Sequence, residues 1–373
     1  MTPILPLIAA VLAAGLLGAP PGGPAASRAA GDAVTRNERT SLSPMPASPP
    51  ASLAGPLRSS GVVEHAAART PAERRRVLGY WTARRMARAL PAGLLGPVST
   101  LGALASGAVP RGAPLRLASA PTFLGPPPGV PSRPGDRRMG ATGARVGVTG
   151  ARWAAGGAVT RTTGRVFLTM RGVDYVCSAG AVRSRNLDVV VTAGHCVKDG
   201  VGVWAENWTF VPGYESGRRP YGVFTARRVF VPEAWSQRGD DSHDLAMVAL
   251  NPSERGHLNE VVGGQDIGFN QPRGLRAFGF GFPADPPFDG EHLVYCSGGL
   301  HGDPHNQTKD QGMRCDLTAG SSGGPWLSSF DSATGQGVVT SVSSFKYSDD
   351  PGTMYGPYFG DEARRLFDTA ERA

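Results

Sequence analysis

The rhythm of apolar and polar positions changes three times along the chain. Residues 4–18 form one apolar run, Ile-Leu-Pro-Leu-Ile-Ala-Ala-Val-Leu-Ala-Ala-Gly-Leu-Leu-Gly. It has the length of a signal-peptide core, and it is too short and too Pro-marked for a comfortable bilayer span. Small residues follow, so cleavage is expected near Gly23-Pro24-Ala25 or Ala26, with residues 1–26 as the signal. From 27 to 160 the chain is rich in Ala, Gly, Pro, Ser and Arg. Runs such as Pro126-Pro127-Pro128 and Gly156-Gly157 read as extended or flexible linker. One island differs. Thr70-Pro71-Ala72-Glu73 has the cap, proline and glutamate of a helix start. Val77, Leu78, Trp81 and Met86 then make an apolar stripe, with Arg74, Arg75, Arg76, Arg84, Arg85 and Arg88 around it. The spacing predicts a helix over 71–90, either docked on the downstream region or solvated and alone.

From Arg165 the pattern becomes short runs rich in Val, Phe, Leu and Thr, at 166–170, 187–192, 223–231, 245–250, 275–282 and 337–344. Turn clusters separate them, among them Pro212-Gly213, Asp285-Pro286-Pro287 and Asp349-Asp350-Pro351-Gly352. Short strands at this spacing predict an all-β sandwich or barrel, and no alternating β–α rhythm supports a doubly wound sheet. One helix is expected at the end. Asp361 is its candidate cap, and Ala363, Leu366, Phe367 and Ala370 fall on one face.

Composition sharpens the division. The chain has 373 residues with 38 Lys+Arg, 30 Asp+Glu and a net charge of +8. Residues 1–160 hold 18 basic and 5 acidic side chains, a net +13, and residues 161–373 hold 20 and 25, a net −5. Aromatic residues, the main suppliers of buried area, concentrate after 160: 24 of 28 lie there. The basic charge therefore belongs to the part least able to form a core. No zinc finger, helix-turn-helix or aromatic stacking platform accompanies it, so nucleic acid is not an expected partner. No other segment is expected to cross a membrane, so the product after signal removal should not be membrane-bound.

All four cysteines follow position 160. In an exported chain they argue for two disulfides, in any of three pairings. Nearest-neighbour pairing gives Cys177–Cys196 and Cys296–Cys315. Each would close a loop of about 20 residues and add roughly 3 kcal/mol in the chain-entropy model. Zinc is the alternative, but no Cys-x-x-Cys spacing supports it. No metal and no cofactor are expected.

Two segments carry candidate chemistry. Val189-Val190-Val191-Thr192-Ala193-Gly194-His195-Cys196 is a β run that breaks into His-Cys. Gly320-Ser321-Ser322-Gly323-Gly324-Pro325 sets a serine in a glycine-rich turn, where backbone N–H groups can converge. A serine hydroxyl needs a base in reach, the base needs a carboxylate to fix its tautomer, and the oxyanion needs aimed donors. The second segment also fits Gly-x-Ser-x-Gly, the nucleophile elbow of α/β-hydrolases. In that fold the histidine follows the serine. Here no histidine follows Ser322. The order His–Asp–Ser remains, with Asp244 opening the apolar run Leu245-Ala246-Met247-Val248-Ala249-Leu250.

On these residues, residues 165–373 resemble the trypsin/chymotrypsin-like serine peptidases. Thr192-Ala193-Gly194-His195-Cys196, Asp244-Leu245-Ala246 and Gly320-Ser321-Ser322-Gly323-Gly324-Pro325 look like that family's three signatures. The resemblance implies an all-β fold of two six-stranded antiparallel β-barrels, about 161–255 and 256–373, with the C-terminal helix behind them. A largely disordered N-terminal region, 27–160, would precede the domain as pro-segment and linker. It also implies Ser322 as nucleophile, His195 as general base and acid, Asp244 as orienting carboxylate, and the N–H groups of Gly320 and Ser322 as the oxyanion hole. Cys177 and Cys196 bracket the histidine as the family's His-loop disulfide does. The implied product is a secreted, extracellular, monomeric serine endopeptidase, made as a zymogen, whose partners are peptide substrates and its own pro-segment. A catalytically inactive trypsin-fold binding module on a surface linker is the alternative.

The chain also departs from the family pattern. Where the digestive enzymes carry an Asp before the nucleophile, this chain has Ser321. Activation by N-terminal insertion against that position is therefore not expected, and the resemblance leans toward the secreted bacterial glutamyl-endopeptidase branch. The pro-segment would then cover the cleft or aid folding. Asp316, six residues before Ser322, is a candidate substrate-binding residue at the offset where trypsin-like members hold basic side chains. Glutamate-specific members carry a histidine on the strand beyond the nucleophile, and 339–345 has none. Ser341 and Ser343 share a face of that strand. Ser343 is the favoured donor to Asp244 and a candidate substrate-binding residue. His301 and His305, as a metal pair, and Asp240 and Asp241, as a calcium site, are weak candidates.

Overall fold

A computed structural model describes residues 61–92, 114–116 and 149–373. The expected signal 1–26 and the proline run at 126–128 lie outside the described residues. No helix among the described residues is long and apolar enough to cross a membrane. The described residues open with β1 (Val62–Ala66), α1 (Pro71–Tyr80), α2 (Ala83–Met86), β2 (Leu90–Pro91), β3 (Pro114–Arg116), β4 (Ala151–Arg152) and α3 (Ala158–Thr162).

The first barrel follows, from β5 (Thr163–Met170), β6 (Val173–Ala181), β7 (Val189–Thr192), β8 (Glu206–Pro212), β9 (Phe224–Pro232) and β10 (Ala246–Leu250), with α4 (Glu233–Arg238) after β9. Its order is β9-β10-β7-β6-β5-β8. Pairing of Thr209 with Thr225 and Phe210 with Phe224 closes β8 back onto β9. Closure leaves no edge within the ring, which satisfies its backbone groups internally. β5 reads as continuous apolar chain because both of its faces are covered. Val166, Leu168 and Met170 join Val190, Phe210 and Phe224 inside the barrel. Phe167 packs on the other face with Trp81, Val176 and Tyr214.

Part of that outer cover comes from 61–92. β1 adds to β9, pairing Val62 with Pro232 through Ala66 with Arg228, and β2 adds to β6 in parallel. Thr70 and Glu73 form the expected capping box. The helix expected over 71–90 is two helices, because Thr82 restarts the chain by accepting from Arg85 N–H. The stripe is also narrower than expected: Trp81 and Met86 are buried and Leu78 is exposed. Trp81 donates its indole N–H to Asn207 O at 2.5 Å. Tyr80 Oη and Arg85 Nη1 both reach Asp174, at 2.7 and 3.0 Å.

The second half contains α5 (Leu258–Val262), β11 (Asp266–Ile267), β12 (Arg276–Gly281), β13 (Val294–Gly299), β14 (His301–Gly302), β15 (Gln311–Arg314), β16 (Pro325–Asp331), β17 (Gln336–Val342), β18 (Phe345–Tyr347), β19 (Asp350–Gly356) and α6 (Asp361–Ala370). One sheet runs β11-β17-β16-β12-β13-β4 and the other β14-β15-β19-β18-β3. They share a core of Ala277, Val294, Cys296, Met313, Cys315, Leu317, Trp326 and Met354. The second barrel is thus built from two ladders rather than one. The chain changes partners at Ser343 and Ser344, whose N–H groups donate to Gly324 O and Tyr355 O respectively. β4 and Trp153 pack on this half upstream of position 161, with Trp153 edge-on to Phe280, Tyr295 and Phe330. The turn expected at 349–352 occupies Ser348 and Asp349, and Asp350 already belongs to β19.

In α6, Ala363, Leu366, Phe367 and Ala370 are buried as the periodicity predicts. Gly360 is its cap residue, and Asp361 instead accepts from Asn270 Nδ2 at 2.6 Å.

Candidate active site

The ladders of the first barrel bring two side chains together. Thr192 at the end of β7 pairs with Ala246 at the start of β10. His195 lies three residues beyond the first and Asp244 two residues before the second, so both leave the barrel at the same rim. His195 N–H donates to Asp244 Oδ1 at 2.7 Å, and His195 Nδ1 lies 2.7 Å from Asp244 Oδ2. Both side chains are buried. A proton on Nδ1 satisfies the carboxylate and leaves Nε2 as the acceptor. Gly194 permits the approach, since a Cβ there would stand 2.9 Å from both Asp244 Oδ1 and Trp235 Nε1. Asp240 and Asp241 do not take the carboxylate's place: Asp240 caps a single turn through Ser242 N–H at 3.1 Å.

Ser322 comes from the loop before β16. Its carbonyl accepts from Ser178 N–H at 2.8 Å. Ser178 follows Cys177, which is bonded to Cys196 beside His195 with Cα atoms 6.2 Å apart. Cys196 Sγ lies 3.6 Å from Ser322 O. This disulfide and its neighbours hold the serine loop against the histidine turn. The second disulfide joins Cys296 and Cys315, so nearest-neighbour pairing describes both bonds.

The same loop aims two backbone donors. Ala319 O accepts from Ala284 N–H at 2.7 Å, and Ser321 O accepts from Gly324 N–H at 2.9 Å. In a planar trans peptide the N–H points opposite to the carbonyl. Fixing those two carbonyls therefore turns the N–H groups of Gly320 and Ser322 the other way. Gly320 has φ +94°, a conformation that favours glycine. Its own carbonyl accepts from Ser178 Oγ at 2.9 Å. Ser178, which sequence reasoning passed over, is thus bonded to both ends of the candidate hole. Its position next to Cys177 was the available signal.

Ser322 Oγ and His195 Nε2 are buried, and neither has a hydrogen-bond partner. Buried polar atoms are rarely left unpaired, and functional sites supply the main exceptions. Cys177, His195 and Cys196 form the one cluster of potential metal ligands among the described residues. Its two sulfurs are joined in a disulfide and offer no thiolate, so it does not fit a metal. His301 and His305 do not converge on one point: His301 Nδ1 faces Gly302 O at 2.9 Å and His305 Nε2 faces Asp349 at 3.6 Å.

The donor to Asp244 is Ser344, through Oγ to Oδ2 at 2.5 Å, and not Ser343. Ser343 Oγ accepts from Trp326 Nε1 at 2.9 Å, and Ser341 Oγ donates to Pro357 O at 2.9 Å. The two hydroxyls point away from Asp244, and position 344, of the other parity, reaches it. Asp316 is half-buried, and its Oδ1 accepts from Gly150 N–H at 2.5 Å. Lys346 Nζ donates to Cys315 O at 2.8 Å and Pro351 O at 2.7 Å. Burial pulls the Lys346 ammonium down to about 8, against the opposing pull of Asp316 and Asp350. Asp310 was not foreseen. It is fully buried with both carboxylate oxygens unpaired. Burial, followed by the charges of Asp241, Asp244, Asp303 and Asp240, pushes its carboxyl well above the usual carboxylate range.

The family model described as Trypsin matches residues 154–359. The crystal structure of the protease Anisep from Arthrobacter nicotinovorans is similar at 41% identity and a TM-score of 0.55, over 57% of this chain and 96% of that one. The thermostable serine protease AL20, from an extremophilic microorganism, is 38% identical at a TM-score of 0.55, over 58% of this chain and 99% of that one. An extracellular metalloprotease of Bacillus subtilis (strain 168) is 32% identical over 103 residues, or 28% of this chain. The chain spans 33% of that relative's length.

Proposed function

The chain belongs to the trypsin family of serine peptidases, and from that premise we propose that it is a secreted endopeptidase whose triad is Ser322, His195 and Asp244. One observation carries the assignment of roles. Asp244 holds His195 through Nδ1 at 2.7 Å, while Nε2 and Ser322 Oγ stay buried and unpaired. Those are the two atoms between which a general-base proton transfer would run.

The steps follow from this geometry. Ser322 Oγ attacks the carbonyl carbon of a peptide bond as its proton passes to His195 Nε2. Asp244 stabilises the imidazolium without itself taking the proton. The carbonyl electrons move to oxygen, where the N–H groups of Gly320 and Ser322 donate to the oxyanion. Collapse breaks the C–N bond, and the proton on Nε2 goes to the leaving amine. Water then repeats the sequence on the acyl-enzyme, with His195 again as base, and restores Ser322.

Ser321 offers no carboxylate to a new N-terminus. Its Oγ instead donates to Thr318 O at 2.7 Å. Ala284, Gly324 and Ser178 orient the hole by themselves, which supports activation without an inserted N-terminal ion pair. Two disulfides fit an oxidising compartment, and the Bacillus relative is described as extracellular. Both support secretion.

Covalent labelling by a fluorophosphonate tests the assignment. Label on the folded chain, lost in Ser322→Ala, is expected. No label on a folded chain freed of its N-terminal region would favour an inactive binding module.

A further inference from the structure

One buried ion pair joins the first barrel to the loop that orients the candidate oxyanion hole. Arg165 lies in β5 with its side chain 5% exposed, over the rings of Phe167 and Tyr214. Its Nη1 donates to Glu291 Oε1 at 2.8 Å and to Tyr214 Oη at 3.2 Å. Tyr214 Oη donates in turn to Glu291 Oε2 at 2.9 Å. A guanidinium is costly to bury unless it is paired and hydrogen-bonded. Here the pairing carboxylate comes from the loop between β12 and β13, in the other half of the molecule.

A short row of contacts leads from this pair to the hole. Gly290 N–H donates to Pro283 O at 2.7 Å and closes the neck of the loop one residue before Glu291. A Cβ on Gly290, whose φ is +74°, would stand 2.8 Å from Arg165 Nη2 and 2.9 Å from Ala284 Cβ. A Cβ on Gly320 would stand 3.0 Å from that same Ala284 Cβ. Ala284 N–H holds Ala319 O, and with it the direction of the Gly320 N–H. Arg165 reaches the hole by a second route as well. It stands opposite Ser178 in the β5–β6 ladder, and Ser178 bonds both Gly320 O and Ser322 O. Glu291 is tied to the first barrel's side through its backbone too, since its carbonyl accepts from Ser216 N–H at 2.9 Å.

We propose that the Arg165–Glu291 ion pair, completed by Tyr214, is a positioning clamp that holds the loop 283–291 and Ser178 where the N–H groups of Gly320 and Ser322 converge. The proposal rests on the serine-peptidase assignment above for its kinetic consequence, but not for the clamp itself. Both partners lie within the residues that match the family, so the clamp is complete in the folded domain and needs no free N-terminus. Ser321, which offers no carboxylate and donates to Thr318 O instead, leaves that ordering role to be filled. Donors to an oxyanion act more strongly on the transition state than on the bound substrate. A slackened clamp therefore lowers kcat at nearly constant KM, whereas a pair that only stabilised the fold would change neither constant of the folded molecules.

The test uses the full chain with Glu291→Gln, which keeps an acceptor for Tyr214 and removes the charge. Its kcat on a peptide anilide is expected to fall about ten- to a hundredfold with KM within about twofold, a smaller loss than removal of a whole hole donor. The Ki of a peptidyl trifluoromethyl ketone, whose hemiketal oxygen would occupy the hole, should rise by the same factor, while the Ki of the product peptide stays constant. Hydrogen exchange at the Ala284 amide should quicken at least about tenfold, read in a Ser322→Ala background to prevent self-cleavage. Tyr214→Phe, which loses only the phenol oxygen, is the second variant, and its kcat should fall about three- to tenfold. Unchanged exchange at Ala284 in both variants overturns the clamp. A rise in KM at constant kcat, or product binding weakened as much as ketone binding, overturns its action on the hole. If the natural chain takes no fluorophosphonate, the peptidase assignment fails, and exchange at Ala284 still decides whether the ion pair holds the loop.

Discussion

Ser344 donates to Asp244 Oδ2, the same oxygen that faces His195 Nδ1. The carboxylate is thereby held from two sides, with His195 N–H bonding its other oxygen. Removing the hydroxyl leaves a buried acceptor underfilled, and such changes cost about 1–3 kcal/mol. Ser344→Ala is therefore expected to lower kcat by roughly ten- to a hundredfold, by the conversion of about 1.4 kcal/mol per factor of ten. Ser343→Ala should act on stability, because it orphans the indole N–H of buried Trp326. Steady-state kinetics and thermal melts on the two variants separate these effects. The reverse pattern would show that the alanines had been assigned to the wrong hydroxyls.

Asp316 supports a second prediction. Its carboxylate already accepts from Gly150 N–H and attracts the Lys346 ammonium. A carboxylate so engaged is a poor receptor for the guanidinium or ammonium of a substrate. Peptides with Arg or Lys on the acyl side of the cleaved bond are expected to show kcat/KM within about tenfold of Leu or Ala peptides, a difference of at most about 1.4 kcal/mol. Asp316→Asn should lower all of them alike. A peptide-library profile measures this directly, and a hundredfold preference for basic residues, abolished by Asp316→Asn, would return the specificity role to Asp316.

The sequence and the structure agree most closely where a pattern is local or a register is forced. The runs at 166–170, 223–231 and 245–250 lie in strands because apolar β-branched stretches of that length have few other ways to be buried. His195 and Asp244 were legible because each ends or opens such a run. β6, β13, β15 and β19 were missed. Gly, Ser, Asp or Arg interrupt their apolar pattern, and β15 and β19 in addition find each other across distant chain, as in the pairing of Met313 with Met354. The choice between Ser343 and Ser344 depends on how the chain turns between β17 and β18, where the two residues change partners, and alternation alone cannot supply that. Trp81 and Met86 signalled an apolar stripe, but the groove that takes them exists only after β5 and β8 are assembled.

His243, next to Asp244, ties α6 to this rim. Its Nε2 lies 2.7 Å from Glu362 and its Nδ1 3.2 Å from Asp240. The bond to Glu362 raises the His243 pKa above its usual value, with burial opposing it. A raised histidine pKa contributes stability that is fully present below the unfolded value near 6.5, and it is lost as pH rises through the folded value. Glu362→Gln is expected to destabilise by about 0.5–1 kcal/mol at pH 5.5, the range for partly exposed pairs. The difference should close by pH 9. Chemical denaturation at the two pH values tests this, and an equal loss at both would assign Glu362 a packing role.

Asp310 gives a pH dependence of the same sign from a different cause, because here burial opposes ionisation. Its carboxyl is fully enclosed, both oxygens lack partners, and Asp241, Asp244, Asp303 and Asp240 lie in its field. The folded chain therefore keeps a proton that the unfolded chain releases above about pH 4. Stability from this residue is intact below that pH and falls as pH rises, by about 1.4 kcal/mol per unit while the folded form stays protonated. Asp310→Asn carries no ionisable group and escapes this loss. Relative to the natural chain it should be close to neutral at pH 4 and progressively more stable as pH rises toward 7. Unfolding free energies measured across pH 4 to 8 read the slope directly. Parallel curves for the two proteins would mean that Asp310 ionises in the fold after all, with a counter-charge drawn to it.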